Sequence, residues 1–401
     1  MIRSWLLTLF CFVLASQVSA EENSVQSFLD KAEAFALWNL EKVPSDPSNR
    51  LFNEQTAIDL GAKLFMDVNL SRSGDTSCAS CHMTGGKMIP NESRPALRDR
   101  KNRTVMSILG SGYQSFLFWD GRADSLWSQA LEPLENPSEH NFTRTEVVSY
   151  VQEAYASEMK ILGIPAVTEA KSILASPLGN RQQRAAWDAL PNKARTDINH
   201  SFASIGKVIA AYEANLPVPY TDWEGLLTSL KEKNRAPIAN LEAIMKGFKL
   251  FSGKARCASC HNGPLFSDGD FHNNGMPSLE NTSPDLGKQS AVLRLLSNEF
   301  NCLGPYSDAV PEKCYDMLYQ NRSIERSFGA FRTPSLRGVS KRERLGHAGQ
   351  ISSLEEMVRH YNVAPIGPYV ALIGQEGASE LVPLRLSDKE IFELIAFLET
   401  L

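Results

Sequence analysis

Apolar side chains recur along this chain mainly at three- and four-residue spacing, the spacing of one face of an α-helix. Four segments show it most clearly: "NEQTAIDLGAKLF" at Asn53–Phe65, "FASIGKVIAAYEANL" at Phe202–Leu216, "NLEAIMKGFKLF" at Asn240–Phe251 and "SDKEIFELIAFLETL" at Ser387–Leu401. No series of strands with period-two alternation stands out, and the connections at Asn262–Pro284 and Asn362–Pro368 are long and irregular. The pattern predicts a mainly α fold.

The first twenty residues have the pattern of a secretory signal. A basic start at Arg3 precedes the apolar run "WLLTLFCFVLA", and the small-residue sequence "VSA" ends at Ala20, before Glu21 and Glu22. This arrangement predicts export with cleavage after Ala20. An uncleaved membrane anchor is the alternative, but the apolar run is shorter than the ~20 residues that a spanning helix needs. We therefore expect a periplasmic protein with no membrane anchor after signal cleavage.

The mature chain of about 380 residues is longer than one compact core usually allows. We expect a signal over residues 1–20, an N-terminal extension over residues 21–46, one domain over residues 47–238 and a second over residues 239–401. The boundary falls in the polar segment "KEKNRAPIAN" at Lys231–Asn240. The signal contains one arginine and no acid, so cleavage changes the net charge from -5 to -6. This charge argues against nucleic acid and anionic membranes as partners.

The sequence "CASCH" occurs twice, roughly half the chain apart. In C-x-x-C-H the two thiols bind the vinyl groups of a haem, and the histidine lies beneath the iron as its proximal ligand. A zinc site or a thioredoxin-like redox pair also uses C-x-x-C, but neither requires a histidine directly after both second cysteines. The repeat predicts two covalent c-type haems, held by Cys78, Cys81 and His82 and by Cys257, Cys260 and His261.

Two further cysteines remain in the mature chain, since Cys11 leaves with the signal. Cys302 and Cys314 lie in a loop that contains Pro and Gly, and an oxidising compartment favours their pairing. We expect a structural disulfide between them.

Four longer blocks are similar to blocks of a known family, in the family's order. They are "GAKLFMDVNLSRSGDTSCASCH", "FWDGRADSLWSQALEPLENPSEH", "GFKLFSGKARCASCHNGPLFSDGDFHNNGMP" and "FRTPSLRGV…GHAGQISSLEEMVRHY". Over nearly the whole mature sequence, the chain resembles bacterial dihaem cytochrome c peroxidases and their MauG-like relatives. The resemblance implies two cytochrome c-like domains with one haem each, of which one haem takes peroxide and the other takes electrons.

The resemblance also implies which side chains carry the chemistry. It places the tryptophan between the haems at Trp119, and the distal glutamine and glutamate at Gln129 and Glu139. An indole can pass an electron between two irons, and a carboxylate above a five-coordinate haem can move a proton during O–O cleavage. A core tryptophan and an exposed glutamate at a helix end are the alternatives.

Members of this family usually hold a calcium ion between their domains. Asn102 in "KNRTV" resembles the family's side-chain ligand, and main-chain carbonyls near Arg342 and Arg344 would supply others, since calcium prefers oxygen. A turn-forming Asn102 without an ion is the alternative.

The first haem departs from the ordinary peroxidases of the family. Those enzymes hold a loop histidine on the peroxide haem until reduction releases it, but the segment Met83–Phe118 contains no histidine. The corresponding position falls near Arg98, whose guanidinium stays protonated and cannot ligate. We expect a five-coordinate haem that reacts with peroxide without prior reduction, and Met88 or Met106 is the alternative ligand.

The second haem departs as well. Ordinary members place a methionine fourteen residues after the histidine of an "HDG" motif, whereas this chain has "HAG" with His347 and, at that distance, Tyr361. MauG-like proteins have tyrosine here. Phenolate is a hard anion that stabilises high oxidation states of iron and lowers the reduction potential. A core tyrosine and ligation by His360 are the alternatives.

Helix geometry favours Tyr361 independently of the resemblance. The segment "SSLEEMVRHYN" opens with a capping-box pattern of Ser352 and Glu355. Its helical spacing puts four residues on one inward stripe: Leu354, Met357, Val358 and Tyr361. His360 then points elsewhere.

The remaining histidines have weaker assignments. His347 is expected to shape the distal pocket or to form a hydrogen bond near the second haem. His140, beside Glu139, either tunes proton transfer there or lies on the surface. His200 and His272 are expected to be structural.

These observations predict a periplasmic MauG-like dihaem enzyme that takes hydrogen peroxide at the His82 haem. A high-valent two-haem state would then oxidise residues, tryptophan above all, of a secreted or periplasmic partner protein, including a copper-binding one. MauG has a surface tryptophan two positions before its second C-x-x-C, but this chain has Ala255, which favours an outcome like that of MbnH proteins. The alternatives are a peroxidase that reduces hydrogen peroxide with electrons from a small cytochrome or cupredoxin, and a non-catalytic dihaem electron carrier or sensor.

Overall fold

The computed structural model describes residues 23–83, 103–171, 173–232, 239–319 and 327–401. The helices of these ranges are α1 (23–32), α2 (Gln55–Met66), α3 (Cys78–His82), α4 (Leu126–Glu135), α5 (Arg144–Ala154), α6 (Ala156–Ile161), α7 (Arg181–Asp188), α8 (Asn192–Ala214), α9 (Asp222–Lys231), α10 (Leu241–Ser252), α11 (Val292–Ser297), α12 (Tyr315–Leu318), α13 (Leu354–Val363), α14 (Val370–Ile373) and α15 (Asp388–Leu398). Two short strands, β1 (Phe271–His272) and β2 (Phe331–Arg332), pair antiparallel. The predicted mainly α fold is confirmed. Among the described helices there is no candidate for a membrane-spanning segment, and the predicted signal lies outside the described residues.

Two separate apolar cores organise these helices. In the first, α2, α4, α5 and α8 surround Trp127 and Phe202. In the second, α9, α10 and α15 surround Trp223, with α1 packed against them through Phe28, whose ring centroid lies 5.8 Å from that of Trp223. The predicted N-terminal extension is therefore part of the second core. The predicted boundary near residue 238 stays a prediction, because residues 233–238 lie outside the described ranges.

A short repeat precedes both CASCH sequences, Cys78–His82 and Cys257–His261, which we call the first and second attachment segments. Helix α2 contains "GAKLF" and α10 contains "GFKLF", and each precedes a CASCH sequence. A Cβ atom added to Gly61 would collide with the Val208 carbonyl on α8, and one added to Gly247 would collide with the Glu393 carbonyl on α15. Each glycine thus lets its helix lie directly against the backbone of the partner helix. The two cores repeat one packing arrangement ahead of their attachment segments.

The longest helix begins earlier than the sequence pattern predicts. Helix α8 starts at Asn192 instead of Phe202, because its first turns are polar, "NKARTDINHS", and carry only a sparse apolar stripe. Ala194 and Ile198 are the buried apolar positions of that stretch. Packing of the Ala194 and Ile198 side chains accounts for the start of α8 at Asn192.

The predicted capping box of α13 is wrong by one residue. The cap is Ser353, whose hydroxyl accepts a hydrogen bond from the Glu356 backbone N–H at 3.1 Å. Ser352 instead donates to the Glu356 carboxylate through its own N–H at 2.9 Å and through its hydroxyl at 3.0 Å. The two adjacent serines make either register possible, and only the fold selects one.

The structure joins Cys302 and Cys314 in a disulfide. Cys314 packs with Leu295 and Met317, which lie on either side of the closed loop in the sequence, in a small third apolar cluster. The Cys302 N–H donates to the Asp124 carboxylate at 2.7 Å, which fixes this loop beside the start of α4. The disulfide therefore lies where the sequence places it.

Candidate active site

The first attachment segment is the short helix α3. Ser77 and Ser80 cap it reciprocally: the Ser77 hydroxyl accepts from the Ser80 N–H at 3.3 Å, and the Ser80 hydroxyl accepts from the Ser77 N–H at 3.0 Å. Spacing of three residues in a helix puts the Cys78 and Cys81 side chains on one face. The Phe65 ring on α2 lies 6.4 Å from the His82 ring. The cap and α2 thus hold the thiols and the imidazole in one local unit.

A backbone carbonyl orients the first histidine. His82 Nδ1 lies 3.1 Å from the Met106 carbonyl oxygen. Because a carbonyl can only accept, Nδ1 carries the hydrogen and Nε2 keeps its lone pair for a metal. Desolvation by burial lowers the pKa of His82 to about 4, so the ring is neutral at physiological pH.

Met106 itself fits poorly as the alternative sixth ligand. Its carbonyl lies on the side of His82, and its sulfur lies 3.4 Å from Nη2 of Arg332, which donates to it. A ligand opposite the histidine would have to lie on the other face of the haem. Met88 and Arg98 lie outside the described residues, so the five-coordinate state stays a prediction.

The predicted distal carboxylate lies near the first attachment site. Burial, together with the charges of Glu213, Cys81 and Glu139, raises the pKa of the Cys78 thiol, which indicates that both carboxylates are close by. Glu139 is half-buried and accepts a hydrogen bond from Asn136 Nδ2 at 2.6 Å. Gln129 is half-buried on α4. Glu139 is therefore not the exposed helix-end side chain of the alternative interpretation.

His140 is buried, with 3% of its surface exposed, so the alternative that it lies on the surface is wrong. Its Nδ1 donates to the Leu70 carbonyl at 2.8 Å, while its own carbonyl accepts from the Arg72 N–H at 2.9 Å. These bonds tie the segment that carries Glu139 to the chain that leads into α3. The burial of His140 could not be predicted from the sequence, because both bonded residues lie about seventy positions away.

The second attachment segment uses a different local structure and the same orientation of the histidine. Arg256 adopts a left-handed backbone conformation, with φ of 55°, and the 3-10 turn Cys257–Ser259 follows. His261 Nδ1 donates to the Phe266 carbonyl at 2.9 Å, which again leaves Nε2 for a metal. Burial lowers the pKa of His261 as well.

A cavity of about 990 Å³ opens over this second segment. Cys257, Cys260 and His261 line it, and so do all four residues of the predicted α13 stripe, including Tyr361. The predicted orientation of α13 is confirmed. His360 instead donates through Nε2 to the Asn274 carbonyl at 2.8 Å, which does not support it as a ligand. Met276 and Met357 also line the cavity, so the ligand role of Tyr361 stays a prediction.

The cavity fits a haem in size and in charge. Its volume lies at the upper end of the range of about 300–1,000 Å³ for ligand sites. The Arg332 guanidinium lines it and is buried, and among the described residues it contacts only the Phe118 carbonyl, at 3.3 Å, and the Met106 sulfur. Burial lowers its pKa to about 10. A buried cation without a carboxylate partner suits a ligand that carries its own carboxylates, as haem does through its propionates.

Trp119 lies where the two sites meet. It is buried and borders the second cavity, as does Met106, whose carbonyl faces His82. Its Nε1–H donates to the Thr104 carbonyl at 2.9 Å, and its own carbonyl accepts from the Arg332 N–H at 2.8 Å. The indole is thus fixed by segments from both halves of the chain.

His347 borders the same cavity, in keeping with its predicted place near the second haem. Its ring stacks on Phe331 with centroids 3.7 Å apart, and its Nε2 lies 3.2 Å from Nε2 of Gln350. Burial lowers its pKa to about 4, so the ring is neutral. The His347 carbonyl accepts from the Thr104 N–H at 2.8 Å, which connects it to the segment that holds Trp119.

The ligand atoms of Cys260, Asp268 and His272 lie within 4.8 Å of one another, as in a metal site. The imidazole of His272 already lies between Asp268, at 3.0 Å, and Glu380, at 2.8 Å. Attachment of haem would also remove the Cys260 thiolate from any such site. We therefore interpret His272 as structural, as the sequence predicts.

The predicted calcium site is only partly visible. Asn102 lies outside the described residues, while Arg342 and Arg344 border the second cavity. Arg342 Nη2 donates to the Val105 carbonyl at 3.0 Å, close in sequence to Asn102. Calcium stays a prediction.

The sequence did not point to three polar residues near the sites: the buried Glu213 and Arg332, and the half-buried Asn274. Glu213 lies in the more apolar second half of α8, and its buried Oε2 atom has no hydrogen-bond partner among the described residues. Asn274 and Arg332 lie in two of the blocks that resemble the family, but their partners are distant in the sequence. The local signal available was Glu213 itself, the one acid in the mostly apolar segment Phe202–Leu216.

The fold and the two sites define a class: mainly helical proteins with two attachment sites for c-type haem. A family model described as di-haem cytochrome c peroxidase matches residues 55–232. Cytochrome-c peroxidase IdrP1 of Denitromonas iodatirespirans is 29% identical over 396 residues, covering 97% of this chain and 92% of that protein. Methylamine utilization protein MauG of Methylorubrum extorquens is 29% identical over 377 residues, covering 90% of this chain and 82% of that protein.

A solved structure supports the same fold. It is a MauG-like protein associated with microbial copper homeostasis, with a TM-score of 0.55 and 23% identity, covering 90% of this chain and 94% of that chain. The family model and the relatives together extend over nearly all of the sequence. The chain is thus similar to di-haem cytochrome c peroxidases and to MauG, proteins named as haem oxidoreductases, and this similarity favours two c-type haems.

Proposed function

We propose that this protein is an exported, periplasmic MauG-like enzyme that uses hydrogen peroxide to oxidise tryptophan residues of a partner protein. The observation that carries the proposal is Tyr361, which lines the second cavity together with His261. A phenolate ligand disfavours reduction by small electron carriers, because it stabilises the oxidised iron. Two covalent haems would supply the oxidising chemistry, held by the two C-x-x-C-H segments in two cytochrome c-like domains.

At the first site the chain's own residues would handle the proton of peroxide. Glu139 is half-buried beside the Cys78 attachment, within the polar segment held by His140. Its carboxylate would accept a proton from bound peroxide and return it to the leaving oxygen. Gln129 would orient the peroxide by hydrogen bonding. His82, kept neutral with Nδ1 engaged by the Met106 carbonyl, would hold the haem iron through Nε2.

Between the sites, Trp119 would carry electrons. Its indole is buried, held by Thr104, and borders the second cavity. A fixed, buried aromatic ring at this place suits electron transfer between two centres. Calcium bound by Asn102 and by carbonyls near Arg342 and Arg344 would hold the two halves together, as the family resemblance implies.

The substrate would be a secreted or periplasmic protein. Ala255 is buried with 4% of its surface exposed, so no aromatic side chain at this position can pass electrons to a partner. This favours a substrate unlike that of MauG. The solved structure of similar fold that is associated with microbial copper homeostasis makes a copper-binding partner the first candidate.

The second candidate function is reduction of hydrogen peroxide with electrons from a small cytochrome or cupredoxin. The 29% identity with a cytochrome-c peroxidase over 97% of this chain favours it. Rapid steady-state turnover with a reduced small cytochrome or cupredoxin would distinguish it from the first candidate.

The test is an electron paramagnetic resonance and optical study of the diferric protein with both haems attached. We expect one high-spin and one low-spin haem, and a long-lived near-infrared band after one equivalent of hydrogen peroxide. Tyr361→Phe should alter the low-spin signal and abolish the band, because the phenolate oxygen is lost. The matched controls Met276→Leu and Met357→Leu remove the two thioethers of the same cavity and should leave the low-spin signal unchanged.

Two results would contradict the proposal. One is a pair of low-spin haems that Tyr361→Phe does not affect, with no reaction before one haem is reduced. The other is loss of the low-spin signal in a methionine variant. Either result would favour an ordinary peroxidase or an electron carrier.

A further inference from the structure

The Tyr361 hydroxyl has a defined hydrogen-bond partner. Asn274 Nδ2 lies 3.2 Å from Tyr361 Oη and donates to it, and both residues line the second cavity. A phenolate oxygen bound to iron has no hydrogen, so it can only accept. The Asn274 amide is therefore the right type of group for a phenolate that already shares one lone pair with a metal.

The Asn274 side chain is attached to a rigid segment. The Asn274 carbonyl accepts from His360 Nε2 at 2.8 Å, and His360 precedes Tyr361 on α13. On the other side, the Asn273 N–H donates to a Glu380 carboxylate oxygen at 3.1 Å, and the Glu380 N–H donates to the Asn273 carbonyl at 2.8 Å. Asn274 is thus held by α13 and by the Glu380 segment together.

The turn after Asn274 is fixed as well. Gly275 adopts a left-handed conformation with φ of 65°, and its N–H donates to Asn273 Oδ1 at 3.0 Å. A Cβ atom at Gly275 would lie 2.5 Å from the Pro365 carbonyl, so the backbone has no room to shift. These contacts hold the backbone that carries Asn274, and from that position its amide reaches the oxygen of Tyr361.

We propose that Asn274 is the positioning residue that sets how strongly Tyr361 donates to the second haem iron. The inference rests on the proposed function, in which Tyr361 is the ligand. A donor N–H draws electron density from the phenolate oxygen and so weakens its donation, because groups that hydrogen-bond a ligand tune the metal. Removing the donor makes the phenolate a stronger ligand, which stabilises ferric iron and lowers the reduction potential.

The experiment compares Asn274→Leu with the unaltered protein, both with two haems attached. Spectroelectrochemistry gives the midpoint potential of the low-spin haem, and the optical spectrum gives its charge-transfer band. One hydrogen bond to a charged group corresponds to about a tenfold change in the ferric-to-ferrous equilibrium, which for one electron is about 59 mV. We expect a downward shift of this size and a displaced charge-transfer band. Asn274→Gln keeps an amide donor, so its midpoint potential should lie between those of the unaltered protein and Asn274→Leu.

The Tyr361→Phe background separates this inference from the proposed function. If Tyr361→Phe leaves the low-spin spectrum and potential unchanged, the proposed function fails first. If Tyr361→Phe changes them and Asn274→Leu does not, the role of Asn274 is wrong while the ligand stands. A shift caused by Asn274→Leu that persists in the Tyr361→Phe background also overturns it, because the effect would not pass through the phenolate. If Asn274→Leu does not yield folded protein, Asn274→Ser replaces it. The serine side chain is too short to reach Tyr361, so the same downward shift of the midpoint potential is expected.

Discussion

At the scale of single residues, Glu213 is a buried acid whose burial is not compensated at one of its two carboxyl oxygens. Only 6% of its surface is exposed, and its Oε2 atom makes no hydrogen bond to the part of the chain that the structure describes. Desolvation raises its pKa to about 8, so its carboxyl group is neutral at pH 7. Burying a carboxylate without a partner is costly, and protonation avoids that cost.

This pKa makes stability depend on pH in a defined direction. The folded state binds the Glu213 proton up to about pH 8, whereas the unfolded chain releases it near 4.5. The free energy of unfolding should therefore fall as pH rises through this interval, by at most about 1.4 kcal/mol per pH unit from this group. Glu213→Gln, which stays neutral, should flatten the fall. Guanidinium unfolding of the haem-loaded protein at several pH values measures it.

The effect of Glu213 is measured as the difference between Glu213→Gln and the unaltered protein, because other groups titrate in the same pH range. Equal pH slopes for the variant and the unaltered protein would show that Glu213 is ionised in the fold. Above pH 8 the two curves should run parallel, which serves as the internal control.

At the scale of elements, the two attachment segments depend on helix pairs in close backbone contact. Gly61 of α2 lies against α8, and Gly247 of α10 lies against α15, each directly ahead of its CASCH segment. Side chains do not interdigitate at these two points, because backbone meets backbone. The size of residue 247 therefore controls the spacing of the second core.

Gly247→Ala should destabilise the protein by about 1–3 kcal/mol, the usual range for overpacking. The added methyl would collide with the Glu393 carbonyl and would lie 2.9 Å from Phe397 Cβ. Gly225→Ala in α9 is the matched control, since no atom of the described ranges lies within 4 Å of its added Cβ. That control should stabilise by up to about 1 kcal/mol. Free energies of unfolding in guanidinium measure both, and a neutral Gly247→Ala would contradict the packing argument.

At the scale of the whole molecule, a buried ion network connects the Trp119 segment with the second half of the chain. Arg103 Nη1 lies 2.6 Å from Asp120 Oδ2, and Arg103 donates to both Asp285 oxygens at 2.7 and 2.9 Å. Burial alone would raise the pKa of Asp120, but the guanidiniums of Arg122 and Arg103 lower it below its usual value. The Asp120 carboxylate is thus ionised, and Arg103 connects it to Asp285 in the second half of the chain.

Asp285→Asn should cost about 3–5 kcal/mol, because it leaves part of the buried Arg103 charge uncompensated. Thermal unfolding followed by calorimetry and by haem absorbance measures the loss. The control is Arg294→Ala, which removes an exposed pair with Glu132, whose atoms lie 3.1 Å apart, and should cost less than about 1 kcal/mol. Equal effects of the two substitutions would show that the network does not stabilise the molecule through burial.

The sequence by itself determined the features that depend on short spacing. The two C-x-x-C-H segments, the helical stripes and the inward face of Tyr361 are all set within a few turns of chain, where geometry follows directly from residue spacing. The register of the α13 cap was the local error, because Ser352 and Ser353 offer equivalent hydroxyls.

The tertiary structure alone decided which groups complete each site. Met106 and Phe266 orient the two histidines through carbonyls, which every residue has and which leave no trace in a sequence. His140 is buried by contacts with Leu70, and Asn274 reaches Tyr361 across 87 positions. Such pairings depend on how helices and loops pack at long range, so the identity of a residue fixes what it can bond and only the fold fixes what it does bond.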